Sequence, residues 1–434
     1  MYSSKPDASS YGMSDNGDKL VVKLSSIVRL ILLFILILPS AVFSLGSIYE
    51  SLTPATISYD WLNYKFGVLQ LIICLFGAVE IICQKQRIFL IIFFIEFLRE
   101  ILFYFAYDNS LFNESAYEMY LTVFVGYSLF LIVRRYMNDF QMMDKFYGLF
   151  LITNMLTIYI NVAMGGRGTT SSDAALAGIE GRYHASNLDV TGTGDLCVLC
   201  IIYLSFSSIR NKYRYPLLAL SVVGLALSGA RASLAFLGLI FAFYVIKQLL
   251  ARVKSRKIKY SDNTIYKAII ILVMAFILGF IILLNFNEVS SRIDLTRFDA
   301  LLSLSAMSSD GSFLGRMASL TVGLDVLADN PLGISGYFIN LQSEMMARNY
   351  PTFPHSTLLS NYLLFGPIIF IFYFIWWRGI REGQHKGNKY FWISLFYLIS
   401  TVIAGGPVVN FKALFNFLFS SYLIFKSCTT RHIT

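Results

Sequence analysis

The chain has 434 residues, of which 56% are hydrophobic and 14% are charged, and its formal net charge is +9. Soluble proteins carry roughly a quarter charged residues, so this composition argues against a soluble globular enzyme. The basic residues fall between apolar runs, where anionic lipid head groups attract them, and the excess of positive charge therefore does not indicate a nucleic-acid partner.

Apolar runs long enough to cross a bilayer recur along the chain. A membrane-spanning helix needs about 20 apolar residues, and lipid offers no hydrogen-bond partners for an unpaired backbone, so these runs are predicted to be helices. The sequence thus predicts an all-α polytopic membrane protein with about 12 transmembrane helices. They lie near residues 27–48, 65–83, 88–107, 117–133, 146–164, 193–208, 215–229, 232–247, 267–285, 357–377, 390–404 and 408–425.

The distribution of charge predicts how these helices are oriented. Residues 1–19 are rich in Ser, Asp, Gly and Asn, and we assign 1–26 to a disordered cytoplasmic tail and 27–434 to a single transmembrane domain. Most Lys and Arg residues fall in alternate loops, whereas the loops near 49–64 and 108–116 contain acidic residues and no basic ones. Because basic loops stay in the cytoplasm, both termini are predicted to be cytoplasmic.

Two loops on the predicted outer, periplasmic side are too long to be simple connections, at about 165–192 and 286–356. In the second loop, apolar residues recur at intervals of three and four positions, at Phe313, Met317, Leu320, Leu324 and Leu327. This spacing predicts an amphipathic helix over Ser312–Asn330 that lies along the membrane surface. The glycines that follow, Gly333 and Gly336, predict a flexible or tightly turned segment.

Arginine is the only basic residue type in the loops and turns predicted to face outward. A guanidinium donates two parallel hydrogen bonds to phosphate or carboxylate, whereas lysine is a mobile point charge. The alternative is that these arginines form ion pairs with acidic residues of the same loops, which is the preferred interpretation for Arg292, Arg297 and Arg348. The remaining four are candidate anion-binding residues: Arg167, Arg182, Arg231 and Arg316.

Position distinguishes three of these four arginines. Arg231 lies in a turn of small residues between two apolar helices, where a charge is costly and usually functional. Its alternative role is to extend toward the outer lipid head groups. Arg182, together with His184, lies in a polar stretch that leads into the sixth predicted span, and Arg316 lies in the first turn of the predicted loop helix.

His355 is a candidate general base at the start of the tenth predicted span. The positive end of the helix dipole favours the neutral imidazole, which is the form a base requires. Its alternative is a helix-capping or packing role. The predicted outer segments contain no HExxH, paired-cysteine or DxD motif, and the chain contains no P-loop, so we expect neither a metal ion nor a nucleotide cofactor.

Several of these segments resemble the O-antigen polymerase and O-antigen ligase superfamily. Leu227-Ser-Gly-Ala-Arg231-Ala-Ser-Leu234 resembles its Ser-x-x-Arg-type turn, and Arg182 with Asn187 resembles an Arg…Asn stretch in one of its loops. Gly315-Arg316, a helix and Asn330-Pro-Leu-Gly333-Ile-Ser-Gly336-Tyr-Phe resemble its large periplasmic loop. Pro354-His355-Ser-x-Leu358-Leu359 with Gly366 resembles its His-Asn-x-x-Leu…Gly segment, except that Ser356 replaces Asn.

The resemblance implies a multi-pass glycosyltransferase of the bacterial inner membrane whose active site faces the periplasm. Its donor is an oligosaccharide on undecaprenyl diphosphate rather than a nucleotide sugar. Arg231 and Arg182 then bind the diphosphate, Arg316 assists, and His355 activates the acceptor hydroxyl. Arg167 and His184 are further candidate substrate-binding residues.

Two choices of function stay open at this point. We favour an O-antigen polymerase, which joins lipid-linked repeat units for lipopolysaccharide or a related surface polysaccharide. A ligase would instead transfer the glycan to lipid A–core, and a flippase for lipid-linked sugars is the alternative from another class. The expected partners are the lipid-linked oligosaccharide, membrane lipid and, as a further candidate, a chain-length regulator protein.

Overall fold

The computed structural model describes residues 75–77, 79, 80, 82, 98, 126–135, 137, 139–163, 183, 185, 190–207, 209–255, 311–334, 338–350, 353–383, 389–403 and 411–429. The predicted tail at 1–26 and the predicted spans at 27–48 and 267–285 lie outside these residues, as do Arg292 and Arg297.

Every regular element among the described residues is helical, which confirms the all-α prediction. The longer helices are α1 (Phe140–Ala163), α2 (Val190–Ser205), α3 (Asn211–Ser228), α4 (Arg231–Ser255), α5 (Gly311–Asp329), α6 (Phe338–Ala347), α7 (Thr357–Phe365), α8 (Phe370–Gly383), α9 (Lys389–Ile403) and α10 (Phe411–Thr429). A 3-10 turn, Gly366–Ile369, joins α7 to α8. All predicted spans from 146–164 onward, apart from 267–285, coincide with these helices.

One helix in the described part of the chain is long and apolar enough to cross a membrane, judged by length and composition. It runs from Thr357 to Gly383 through the 3-10 turn, and 39% of its most apolar stretch is buried. Gly192–Ser205 and Ala232–Tyr244 are apolar but shorter. The predicted number of spans and their orientation therefore stay predictions.

The main hydrophobic core lies around α9, which packs against α2, α4, α7, α8 and α10. The indole of Trp376 stacks on the ring of Tyr397 with centroids 4.9 Å apart, and its Nε1 donates to Ser421 Oγ at 3.0 Å. Polar side chains also meet inside this core. Tyr147 donates to Asn416 Oδ1 at 3.0 Å, and Ser420 Oγ donates to the Tyr397 hydroxyl at 3.0 Å.

An ionic cluster joins three helix ends that are all predicted to be cytoplasmic. Asp144 near the start of α1 accepts hydrogen bonds from Lys389 Nζ and the Tyr390 hydroxyl at the start of α9. The Tyr203 hydroxyl near the end of α2 donates to the Asp144 carbonyl at 2.7 Å, and the Lys389 ammonium lies 4.4 Å from the centre of the Tyr203 ring. The Lys389–Asp144 ion pair is largely buried, and it joins the three helix ends at one defined point.

A second, smaller core holds the predicted outer loop against the long apolar helix. It is formed by α5, α6 and α7, and the Ile334 N–H donates to the Leu363 carbonyl at 2.6 Å. Gly333, with φ of 87°, makes the predicted tight turn after α5, since L side chains rarely adopt this conformation. The short helix α6 within the loop was not predicted.

The loop helix is confirmed within one residue at each end, and part of its predicted apolar face is exposed rather than packed in the core. Met317 and Leu324 are 47% and 51% exposed, whereas Ser319, Gly323 and Val326 are buried. Small side chains face the core here because Pro354 and α7 approach the helix closely, and a face of large residues would hold them apart.

Candidate functional site

The structure arranges the candidate residues in two groups, and the first is built around the turn that precedes Arg231. Gly229 ends α3 in the left-handed conformation with φ of 58°, and its N–H donates to the Ala226 carbonyl at 3.0 Å. Ser228 Oγ accepts from the Ala230 N–H at 3.3 Å. This two-residue turn makes Arg231 the first residue of α4 and resolves the predicted 215–229 and 232–247 pair into two helices.

Two described residues of the polar stretch, Tyr183 and Ala185, are bonded to α3 and α2. The Tyr183 N–H donates to the Leu227 carbonyl at 3.1 Å, near the end of α3, and the Ala185 N–H donates to Thr193 Oγ1 at 2.8 Å, on α2. Arg182, His184 and Arg167 themselves lie outside the described residues.

The second group joins Arg316 to His355 through Ser319. Ser319 Oγ accepts from the His355 backbone N–H at 3.0 Å and donates to the Arg316 carbonyl at 2.8 Å. The Tyr350 hydroxyl donates to the Gly315 carbonyl at 2.7 Å, one residue before Arg316. Two residues selected separately from the sequence therefore lie on backbone segments connected by a single buried hydroxyl.

His355 has an exposed side chain on a backbone that is held in place from several sides. Ser356, which is 3% exposed, caps α7 by accepting from the Leu359 N–H at 3.3 Å. The alternative that His355 caps this helix is therefore wrong. Ser360 Oγ donates to the Pro354 carbonyl at 2.6 Å, which fixes the residue before the histidine. Serine is among the residue types preferred at helix N-caps, which agrees with this role of Ser356.

Gly323 allows the close approach between α5 and the His355 segment. A Cβ at this position would lie 2.7 Å from Pro354 Cγ and 2.8 Å from Leu359 Cδ2. Gly315, on the same helix, has room for a Cβ, since the Tyr350 hydroxyl oxygen is 3.9 Å away. An added methyl group would therefore overlap its neighbours at Gly323 but fit at Gly315.

Arg348 forms the ion pairs that were the preferred interpretation for it. Its guanidinium donates to Glu344 and Asp329, each at 2.5 Å. The hydrogen bonds that the guanidinium donates to Glu344 and then to Asp329 raise the pKa of Arg348 above its ordinary value. This arginine ties α6 to the end of α5 and is a structural residue.

Sequence reasoning did not assign a role to Asp195, which lies beside the first group. Ser233 Oγ, in the first turn of α4, donates to Asp195 Oδ1 on α2 at 2.7 Å. An acidic residue inside an apolar run, close in sequence to the polar stretch at 182–187, was the available signal. Its meaning depends on the packing of α2 against α4, which the sequence does not give.

The helix α9 contacts α2 and α4, which meet at the first group, and also contacts α7, which begins just after His355 of the second group. Within the described residues, no three His, Cys, Asp or Glu side chains are grouped closely enough to hold a metal ion.

Comparison of the chain with protein-family models, with curated proteins and with solved structures finds no match to any of them.

Proposed function

We propose that this protein is a multi-pass inner-membrane glycosyltransferase that polymerises oligosaccharide repeat units carried on undecaprenyl diphosphate, with its active site facing the periplasm. The observation that carries the proposal is the connection of Arg316 to His355 through Ser319. It links the backbone of a candidate anion-binding residue to the backbone of a candidate general base, which supports the proposal. The first group supplies the turn that precedes Arg231 and, beside it, the backbone of Tyr183, the neighbour of Arg182.

The chemistry is a displacement at the anomeric carbon of the donor sugar. The imidazole of His355 accepts a proton from the acceptor hydroxyl, whose oxygen then forms a bond to the anomeric carbon. The bond between that carbon and the diphosphate oxygen breaks, and undecaprenyl diphosphate leaves with the electron pair. Arg231, Arg182 and Arg316 stabilise the charge that develops on the leaving group, since guanidinium groups bind phosphates through two parallel hydrogen bonds.

Exposed apolar side chains support a membrane location. The long apolar helix from Thr357 to Gly383 exposes Phe370, Phe374 and Trp377 by 52%, 64% and 60%. In a soluble protein the apolar side of such a helix would be covered. The meeting of three predicted cytoplasmic helix ends at Asp144 is also what the proposed orientation requires.

The deciding experiment supplies the purified protein with one synthetic undecaprenyl-diphosphate repeat unit and separates the products on a gel. A ladder of longer lipid-linked glycans supports the polymerase, because no other acceptor is present. Transfer that occurs only after lipid A–core is added identifies a ligase. Absence of product under both conditions refutes the glycosyltransferase proposal.

A flippase for lipid-linked sugars is the second candidate, and the polar side chains inside the main core favour it. In the interior of the helix bundle, hydrogen bonds link four polar side chains, those of Tyr147, Tyr397, Asn416 and Ser420. Polar residues within membrane helices often mark a transport path. Movement of labelled lipid-linked sugar across liposomes without formation of any new glycosidic bond would replace the enzyme by the flippase.

A further inference from the structure

Asp195 connects α2 to the first turn of α4. Ser233, which is fully buried, donates to its carboxylate at 2.7 Å. Ser233 is only two residues after Arg231, and the Leu234 N–H completes the same turn by donating to the Ala230 carbonyl at 3.1 Å. The carboxylate therefore holds the helical turn that begins with Arg231.

The contact between α2 and α4 is too close to adjust freely. A Cβ on Gly194 would lie 2.3 Å from Ala230 Cβ and 2.6 Å from Ser233 Oγ, so the backbone of α2 lies directly on the turn. With so little space, the Ser233–Asp195 hydrogen bond selects one rotation of α4 relative to α2.

Asp195 lies on α2, which packs against α9 as well as against α4. The helix α9 in turn packs against α7, which begins just after His355. An acidic residue at this junction is costly inside an apolar helix, which favours a functional reason for its presence.

We propose that Asp195 is a positioning residue for the glycosyl transfer, acting through Ser233 to hold the first turn of α4, and with it Arg231, in the arrangement that binds the donor diphosphate. This inference rests on the proposed function. Asp195 itself makes no bond to substrate in this mechanism. Loss of Asp195 is therefore expected to raise KM for the donor more than it lowers kcat.

The experiment measures KM for the lipid-linked donor, kcat and the thermal midpoint for four variants of the full-length protein. Asp195→Ala and Ser233→Ala each remove the hydrogen bond and are expected to raise KM by about 10- to 100-fold, because the loss of one charge-assisted hydrogen bond from Arg231 to the diphosphate weakens binding by about that much. Their kcat should change far less. Asp195→Asn retains an oxygen that accepts from Ser233 and should stay within a few-fold of the wild-type KM.

Ser221→Ala is the matched control. Ser221 is equally buried, but its hydroxyl donates at 2.8 Å to the Leu217 carbonyl of its own helix, so its removal should leave KM unchanged. The inference is overturned if Ser233→Ala behaves like Ser221→Ala, if Asp195→Asn is as impaired as Asp195→Ala, or if kcat alone falls. The inference is also overturned if activity falls in proportion to the thermal midpoint in every variant, because reduced stability then explains the loss. A wild-type protein that forms no product refutes the proposed function instead.

Discussion

Replacing Gly323 by alanine tests whether the packing of α5 positions His355. The new Cβ would lie 2.7 Å from Pro354 Cγ and 2.9 Å from Pro354 Cβ. Carbon atoms in contact are separated by about 3.5–4.0 Å, so the proline must retreat by roughly 1 Å. Both ring atoms are too close, and a change of ring pucker alone does not relieve the contact. The backbone of Pro354 must therefore move, and the backbone of His355, the next residue, moves with it.

The expected cost of this change is larger for activity than for stability. Alanine is more favourable than glycine in a helix by about 1 kcal/mol, which offsets part of an overpacking cost of about 1–3 kcal/mol. The free energy of unfolding should thus fall by no more than about 2 kcal/mol. A misplacement near 1 Å of a catalytic group lowers the rate by about 100-fold, which is the expected fall in kcat.

Gly315→Ala provides the comparison on the same helix. It gains the same helix propensity of about 1 kcal/mol, and its Cβ meets only the Tyr350 hydroxyl at 3.9 Å, so activity should be retained and stability should rise slightly. Both variants are assayed by formation of the glycan ladder and by thermal unfolding in detergent. A Gly323→Ala variant that turns over at the wild-type rate would refute the argument that this contact positions His355.

Three other variants have defined expected outcomes. Asp144→Asn removes the carboxylate partner of the largely buried Lys389 and should lower the free energy of unfolding by about 3 kcal/mol, measured by thermal or denaturant unfolding, with partial recovery on adding Lys389→Met. An unchanged midpoint would show that the cluster does not stabilise the bundle. His355→Ala should retain donor binding and lose turnover, and normal turnover would exclude it as the base. Arg231→Lys should lose most activity because an ammonium cannot donate two parallel hydrogen bonds to the diphosphate, and full activity would remove that role.

The positions of the helices could largely be predicted from the sequence. An apolar run, or a glycine placed between two such runs as at 229, is a local signal that acts within a few residues. The helix at Gly311–Asp329 is confirmed for this reason, within one residue of the prediction at each end. The helix α6, Phe338–Ala347, was missed because it is short and follows the predicted turn at Gly333 and Gly336, in a part of the loop to which no element was assigned.

The candidate site was predictable only as a set of separate residues. Arg316 and His355 were selected by residue type and by their place beside helix starts, and Arg348 was preferred as an ion-pair residue. The structure confirms the pairing of Arg348 and describes the link from Arg316 to His355 through Ser319. Ser319 had no signal of its own, because a serine on a loop helix has many possible roles.

By itself, the sequence determined the helical class of this protein, the bounds of most described helices and the positions where charge interrupts apolar runs. Only the tertiary structure decided which face of α5 is buried, where Ser356 acts as a cap and which residues meet Asp195. The physical reason is that a helix forms through bonds between near neighbours, whereas these contacts join residues far apart in the chain. They depend on how closely small residues such as Gly194 and Gly323 allow two segments to approach.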